Sequence, residues 1–195
     1  MKKLSFVLAS CLLVLFATAQ DFNKDLATAR SAYKAGKLDD SRFAMQQMMQ
    51  ELDMLTGKEI LKKLPNTMMD QSISNGKDNV SGASGFAGVV IHREYGSGAK
   101  NVSLDIITNS PLLSAINGLL ALPFIANNGD QKVIKINGYK ALVQKVSGEN
   151  GTTNYDLQLP MSSSLLTLRA PGYSQDDVIK MANTLPIADI VKLIQ

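Results

Sequence analysis

The 195-residue sequence offers few side chains for acid-base, nucleophilic or metal chemistry. It contains one histidine, His92, one cysteine, Cys11, and no tryptophan. A Ser-His-Asp triad needs a histidine beside its nucleophile, and a zinc site needs about four ligands. His92 is followed by Arg93 and Glu94, and the sequence does not place the further carboxylates of a metal site nearby. We therefore expect His92 to be a structural or solvent-facing residue.

Two pairs of neighbouring carboxylates, Asp39/Asp40 and Asp176/Asp177, are the next candidates for acid-base chemistry. Each pair stands where the sequence predicts the start of a helix. Carboxylates at such a position cap free backbone N–H groups and complement the helix dipole, which explains both pairs without catalysis. The sequence contains no Walker loop, dinucleotide-binding glycine motif or nucleophile elbow. It therefore favours a protein that is not an enzyme and uses no cofactor.

Methionine is frequent in the N-terminal third of the chain, where Met45, Met48 and Met49 recur at helical spacing. Thioether sulfurs at this spacing share a helix face and could bind Cu(I), so these three residues are the candidate metal site. They could also form an adaptable apolar surface for a protein partner or an acyl chain. The interpretation we favour is that they fill an irregular core.

The first 19 residues have the pattern of a bacterial signal peptide. Met1–Lys3 is a short cationic segment, Leu4–Phe16 is almost entirely apolar, and Ala17–Ala19 gives the small-x-small pattern that signal peptidase accepts. The apolar segment is too short to cross a hydrocarbon layer of about 30 Å.

We predict cleavage between Ala19 and Gln20, hence a periplasmic or secreted protein without a transmembrane span in the mature chain. A lipid anchor at Cys11 is the less favoured alternative, because cutting there would leave an apolar mature N-terminus. Loss of Lys2 and Lys3 would lower the formal charge from +3 to about +1. This balance gives no indication of nucleic-acid binding.

The residues after the cleavage site, 20–65, are predicted to form a helical hairpin. Apolar residues recur there at helical spacing, and Gly36 supplies the turn between two helices. Gly57 is expected to end the second helix and to leave a short third segment, Lys58–Leu64.

Residues 66–85 are rich in serine, glycine, asparagine and aspartate, and are predicted to be a linker or loop. Residues 86–195 then show the alternation of a sheet domain, with Asn137-Gly138 as a strong hairpin signal. A capping box, Ser174–Asp177, and Pro186 predict the starts of two final helices. The strands are expected at Phe86–Tyr95, Asn101–Thr108, Gln131–Ile136, Tyr139–Ser147, Thr153–Leu159 and Ser164–Arg169.

One predicted helix, Leu112–Leu122, is apolar nearly all round, and we expect it to be buried. It could line a hydrophobic cavity between helix and sheet that holds a lipid-like ligand, although core packing is the favoured interpretation. The candidate ligand-binding residues are Leu112, Ile116, Leu119 and Leu120.

These elements place the chain in the α+β class. A helical hairpin precedes a mainly antiparallel sheet with the order ββαββββα, covered by helices. The composition, 45% hydrophobic and 19% charged, is that of a globular protein and excludes a disordered or polytopic membrane protein.

The second half of the chain also resembles known extracytoplasmic domains of bacteria. The segments that give this resemblance are Ile136–Ala141, Tyr155–Leu157, Leu165–Leu168 and Gly172–Ala182. They are similar to RseB-like and lipoprotein-like periplasmic domains and to PsbP-like sandwiches, and the whole chain resembles secreted proteins of unknown function from Bacteroidetes-type bacteria. The resemblance implies at most a regulator or a lipid carrier.

We therefore expect an exported, non-enzymatic binding or interaction module, with an unidentified protein or hydrophobic ligand as its partner. The alternatives are a carrier of a lipid-like ligand and a Cu(I)-binding envelope protein.

Overall fold

A computed structural model describes residues 22–82, 88–122, 129–148 and 151–195. The predicted signal peptide, residues 1–19, which contains Cys11, lies outside this part of the chain and stays a prediction. None of the helices in the described part is long and apolar enough to span a bilayer. The chain divides into two compact units, the first ending at Leu55 and the second beginning at Thr56.

The first unit contains the predicted helical hairpin. Residues 22–34 form helix α1, and Leu38–Lys63 form helix α2, whose last turns belong to the second unit. Between them Gly36 has a φ of 72°, a conformation that favours glycine. The N–H of Lys37 donates to the carbonyl of Ala32 at 2.9 Å, which is a C-cap that ends α1.

Helix α2 passes through Gly57 without a break, so the expectation that Lys58–Leu64 forms a separate segment is wrong. A Cβ atom at Gly57 would lie 2.7 Å from Cγ1 of Val80 and 3.1 Å from Cγ1 of Ile91. The first of these distances is shorter than real Cβ contacts allow. The glycine therefore marks a close approach between α2 and the strands that contain Val80 and Ile91, not a helix end.

The structure differs from the expectation of a linker over residues 66–85. Thr67–Met68 (β1) pairs with Gln71–Ser72 (β2) in a separate antiparallel ladder, and Asn79–Gly82 forms strand β3. Among the described strands β3 lies at the edge of the sheet, and such an edge strand can be short and polar. Its alternation is therefore too weak to be recognised in the sequence.

The second unit is built on one antiparallel sheet, which has seven strands in the described part of the chain. Beyond β3 the strands are Val89–Tyr95 (β4), Val102–Thr108 (β5), Gln131–Ile136 (β6), Tyr139–Ser147 (β7), Thr153–Met161 (β8) and Ser164–Arg169 (β9). Their order across the sheet is β3-β4-β5-β9-β8-β7-β6. Helix α3 (Leu113–Ala121) follows β5, and helices α4 (Gln175–Asn183) and α5 (Ile187–Ile194) follow β9. The predicted α+β class, with a helical hairpin before a mainly antiparallel sheet, is confirmed.

One face of the sheet forms the main core. Every second residue of β4 and β5 is buried, as the period of two requires, and α4 packs against β8 and β9. The residues of this face with at most 1% exposure include Ile91, Leu104, Ile106, Leu157, Leu159, Leu166 and Leu168.

Helix α3 covers part of the other face, and the expectation that it is buried all round is wrong. Ile116 and Leu120, one turn apart, are buried against Leu142 and Leu165 of the sheet. Leu112 just before the helix is 52% exposed. A helix that lies on a sheet buries one face, and the remaining apolar side chains stay at the surface.

Helix α4 begins where the capping box predicts. The N–H of Asp177 donates to Oγ of Ser174 at 3.2 Å, and the Ser174 hydroxyl donates to the Asp177 carboxylate at 2.7 Å. These bonds, together with that of Lys180 to the same carboxylate, lower the pKa of Asp177. The carboxylates Asp39 and Asp40 likewise stand in the first turn of α2.

Candidate functional site

The face of the sheet opposite the main core contains a cluster of charged side chains, the His92 network. His92 and Glu94 come from β4, Asp105 from β5, Asp156 from β8 and Arg169 from β9. Strand pairing places His92 directly opposite Asp105, and Arg169 directly opposite Asp156. The period of two turns all five side chains to the same face.

The side chains of this network bond to one another across four strands. Nδ1 of His92 lies 2.7 Å from a carboxylate oxygen of Asp105, and Nε2 lies 3.3 Å from Glu94. Arg169 donates from Nη1 to the second oxygen of Asp105 at 2.6 Å, and its Nε lies 3.6 Å from Asp156. Both ring nitrogens of His92 thus face carboxylates. The guanidinium of Arg169 also lies between two carboxylates, those of Asp105 and Asp156.

The electrostatics of the network favour a protonated histidine. Desolvation of the ring favours its neutral form, but the hydrogen bonds and charges of Asp105 and Glu94 outweigh it and raise the pKa of His92. Burial raises the pKa of Asp156, although Arg169 acts in the opposite direction.

Strand pairing brings to His92 a carboxylate that the sequence does not place near it, that of Asp105, from 13 residues away. The signal in the sequence was the alternation: His92 and Glu94 share a strand face, and Asp105 lies on the next strand. Across the described residues, however, no group of three or more His, Cys, Asp or Glu side chains is arranged to hold a metal ion. The network is therefore suited to tying strands together, since its histidine and arginine are already bonded to carboxylates.

A second charged contact, also missed in the sequence, joins the end of α2 to the core face of the sheet. The buried guanidinium of Arg93 donates from Nε to Asp78 at 2.9 Å and from Nη1 to the carbonyl of Leu64 at 3.2 Å. Nearby, the hydroxyl of Tyr95 donates to the carbonyl of Pro65 at 3.0 Å. These bonds satisfy carbonyls at the helix end, which is a structural role.

The hairpin differs from the sheet because its buried residues are small. Ala29 and Ala32 of α1 and Ser41 and Ala44 of α2 are less than one-tenth exposed. The hydroxyl of Ser41 donates to the carbonyl of Ala29 at 3.0 Å. Small residues let the two helices approach closely, but they bury little apolar area.

Many of the large apolar residues of the hairpin are instead exposed. Met45 is 49% exposed, Met49 59% and Leu52 45%. At about 100° per residue, Leu38, Met45, Met49 and Leu52 fall within an arc of about 60° on α2. We call these four residues the apolar stripe. The other exposed large apolar residues of the hairpin include Tyr33, Phe43 and Leu55.

The three methionines of the predicted Cu(I) site are divided by this arrangement. Met45 and Met49 belong to the apolar stripe and are largely exposed, so they are not core filler, whereas Met48 is partly buried. Cu(I) binding by these residues stays a prediction.

The predicted hydrophobic ligand residues are also divided. Ile116 and Leu120 are buried in a cluster with Leu142 and Leu165, and Leu119 packs against that cluster. Leu112 lies outside it, at the exposed start of the helix. This packing agrees with the favoured interpretation of a core contact, and the lipid cavity stays a prediction.

Comparison with known proteins gives no relative for this chain: no family model, no curated protein and no solved structure matches it. The resemblance to RseB-like and PsbP-like domains therefore stays a prediction.

Proposed function

We propose that this chain is an exported, non-enzymatic interaction module that binds a protein partner through the apolar stripe of helix α2. The observation that supports this most directly is that small residues are buried in the hairpin while large apolar residues are exposed. Its buried residues are alanine and serine, whereas the four leucine and methionine residues of the stripe are exposed. Contiguous exposed apolar residues on a globular protein are typical of a protein-binding surface.

The chemistry of the stripe suits a protein partner. Methionine side chains are unbranched and polarisable, so they adapt to the shape of an apolar partner surface. The two charged clusters of the sheet supply no comparable surface, because His92, Arg169 and Arg93 are bonded to carboxylates within the chain. Export to the periplasm or beyond is part of the proposal and rests on the signal-peptide pattern of residues 1–19.

The experiment is site-specific photo-crosslinking in intact cells that produce and export the full chain. A photo-reactive amino acid at position 49, on the stripe, is compared with one at Gln50, which is exposed but points about 100° away from Met49 on the same helix. We expect a discrete covalent adduct from position 49, identified by mass spectrometry, and little or none from position 50.

A second variant tests whether the adduct depends on the stripe. Met45→Lys places a charge on the stripe at an exposed position and should suppress the adduct, whereas Met45→Leu keeps the surface apolar and should preserve it. Far-UV circular dichroism checks that both variants fold. Equal labelling at positions 49 and 50, or an adduct that Met45→Lys leaves unchanged, would contradict the proposal.

A further inference from the structure

We infer that the partner covering the apolar stripe is a second copy of this chain, with the two α2 helices running antiparallel about a two-fold axis between Gln47 and Met48. This inference rests on the proposed function and names its partner. It is argued from the charges that flank the stripe.

Arg42 and Asp53 lie on the same side of the stripe. At about 100° per residue, they stand about 50° and 70° from its centre, and they are 11 positions apart along α2. A two-fold axis perpendicular to two antiparallel helices brings the same flank of each copy together. If the axis passes midway between these positions, Arg42 of each copy meets Asp53 of the other, which gives two identical ion pairs.

The same register also places apolar residues of one copy beside apolar residues of the other. With the axis between positions 47 and 48, Met45 of one copy lies beside Met49 and Leu52 of the other. Met45, Met49 and Leu52, three of the four residues of the stripe, therefore meet their own counterparts in this orientation. A parallel pairing about a two-fold axis along the helices would place this flank of each copy on opposite sides of the contact, so Arg42 and Asp53 would not meet.

Both charged residues are available for this contact. In the described part of the chain Arg42 pairs with Asp39 at 3.3 Å, but the two side chains are 70% and 98% exposed, so the pair is weakly held. None of the ion pairs found there includes Asp53. Partial burial disfavours the charged form of the Asp53 carboxylate and raises its pKa. The positive charge of Arg42 from a second copy would offset this desolvation.

A charge-exchange experiment tests the orientation. The dissociation constant of the full chain is measured by sedimentation equilibrium for wild type, Arg42→Asp, Asp53→Arg and the double variant. Each single variant places like charges together in two symmetric contacts and should weaken association about tenfold. The double variant restores both ion pairs with their signs exchanged and should bind within about threefold of wild type.

An additive loss in the double variant would overturn the antiparallel pairing, because in that case the two residues do not meet. Arg42→Asp also removes the contact with Asp39 within the helix, but that loss persists in the double variant and so cannot account for a rescue. A wild-type chain that stays monomeric at all concentrations would overturn the second copy as partner.

The photo-crosslinked adduct from position 49 separates this inference from the proposed function. An adduct with twice the mass of the chain supports both. An adduct with a different protein supports the interaction module and overturns the second copy as its partner. The absence of an adduct overturns both.

Discussion

The two units of this chain distribute their large apolar side chains in opposite ways. In the sheet unit Leu166 is fully buried, and the charges of the His92 network lie on the opposite face. In the hairpin the buried residues are small, such as Ala44, whereas Met45 and Met49 are about half exposed. Burying one large apolar side chain contributes about 1.5–3 kcal/mol. The sheet unit therefore stabilises itself, whereas the hairpin leaves much of its apolar surface exposed.

The largest difference in stability between the two units should appear when one apolar residue in each is truncated. Leu166→Ala leaves a cavity in the core face and should lower the free energy of unfolding by about 2–5 kcal/mol. Met49→Ala removes an exposed side chain and should change it by less than about 0.5 kcal/mol in a monomeric sample. Urea unfolding followed by far-UV circular dichroism measures both. Similar losses in the two variants would mean that the hairpin has a core of its own.

A second comparison uses one arginine from each unit. Arg93→Met keeps the aliphatic packing but leaves Asp78 and the Leu64 carbonyl without their donor, which should cost about 1–3 kcal/mol. Arg42→Met removes an exposed pair with Asp39 and should cost less than about 0.5 kcal/mol. Urea unfolding of dilute, monomeric protein distinguishes them, and equal costs would show that the buried contact contributes no more than the exposed one.

A third comparison sets Gly57 in α2 against Gly118 in α3. Alanine at Gly118 meets nothing within 4 Å and should stabilise the protein by about 0.5–1 kcal/mol through its helix propensity. Alanine at Gly57 gains the same propensity but collides with Val80, so we expect a net destabilisation of about 1–2 kcal/mol. Thermal unfolding measures the two changes. Stabilisation by Gly57→Ala would show that the close approach of α2 to the sheet is not constrained.

The smallest effect concerns pH. Because the pKa of His92 is raised above its ordinary value of 6.5, the protonated ring stabilises the folded state. This contribution is fully present below pH 6.5 and is lost as pH rises through the folded-state pKa. The free energy of unfolding of wild type should fall with pH over this range relative to that of His92→Gln. Parallel profiles would mean that Asp105 and Glu94 do not favour the protonated ring.

Local patterns in the sequence predicted the elements well. The strands Gln131–Ile136, Tyr139–Ser147 and Ser164–Arg169 have the expected bounds, because alternation and turn chemistry act over a few residues. In the hairpin between the first two, Asn137 and Gly138 both adopt positive φ, as that turn requires.

Long-range features could not be predicted in this way. Gly57 resembles a helix stop until the strand that contains Val80 is known to pass beside it. The partners of His92 depend on strand register, and the apolar stripe of α2 has the same spacing as a buried face. Whether such a face is covered depends on the length and side chains of its neighbour, and the buried residues of α1, Ala29 and Ala32, are small.

The position of β9 in the middle of the sheet has a consequence for the order of folding. As the chain is synthesised from its N-terminus, β3–β5 and β6–β8 can form two separate antiparallel ribbons. Among the described strands, Ser164–Arg169 joins them by pairing with β5 on one side and β8 on the other. Until then both ribbons expose an unpaired edge and an apolar face, a state prone to aggregation and proteolysis. The last strand thus converts two local structures into one cooperative domain.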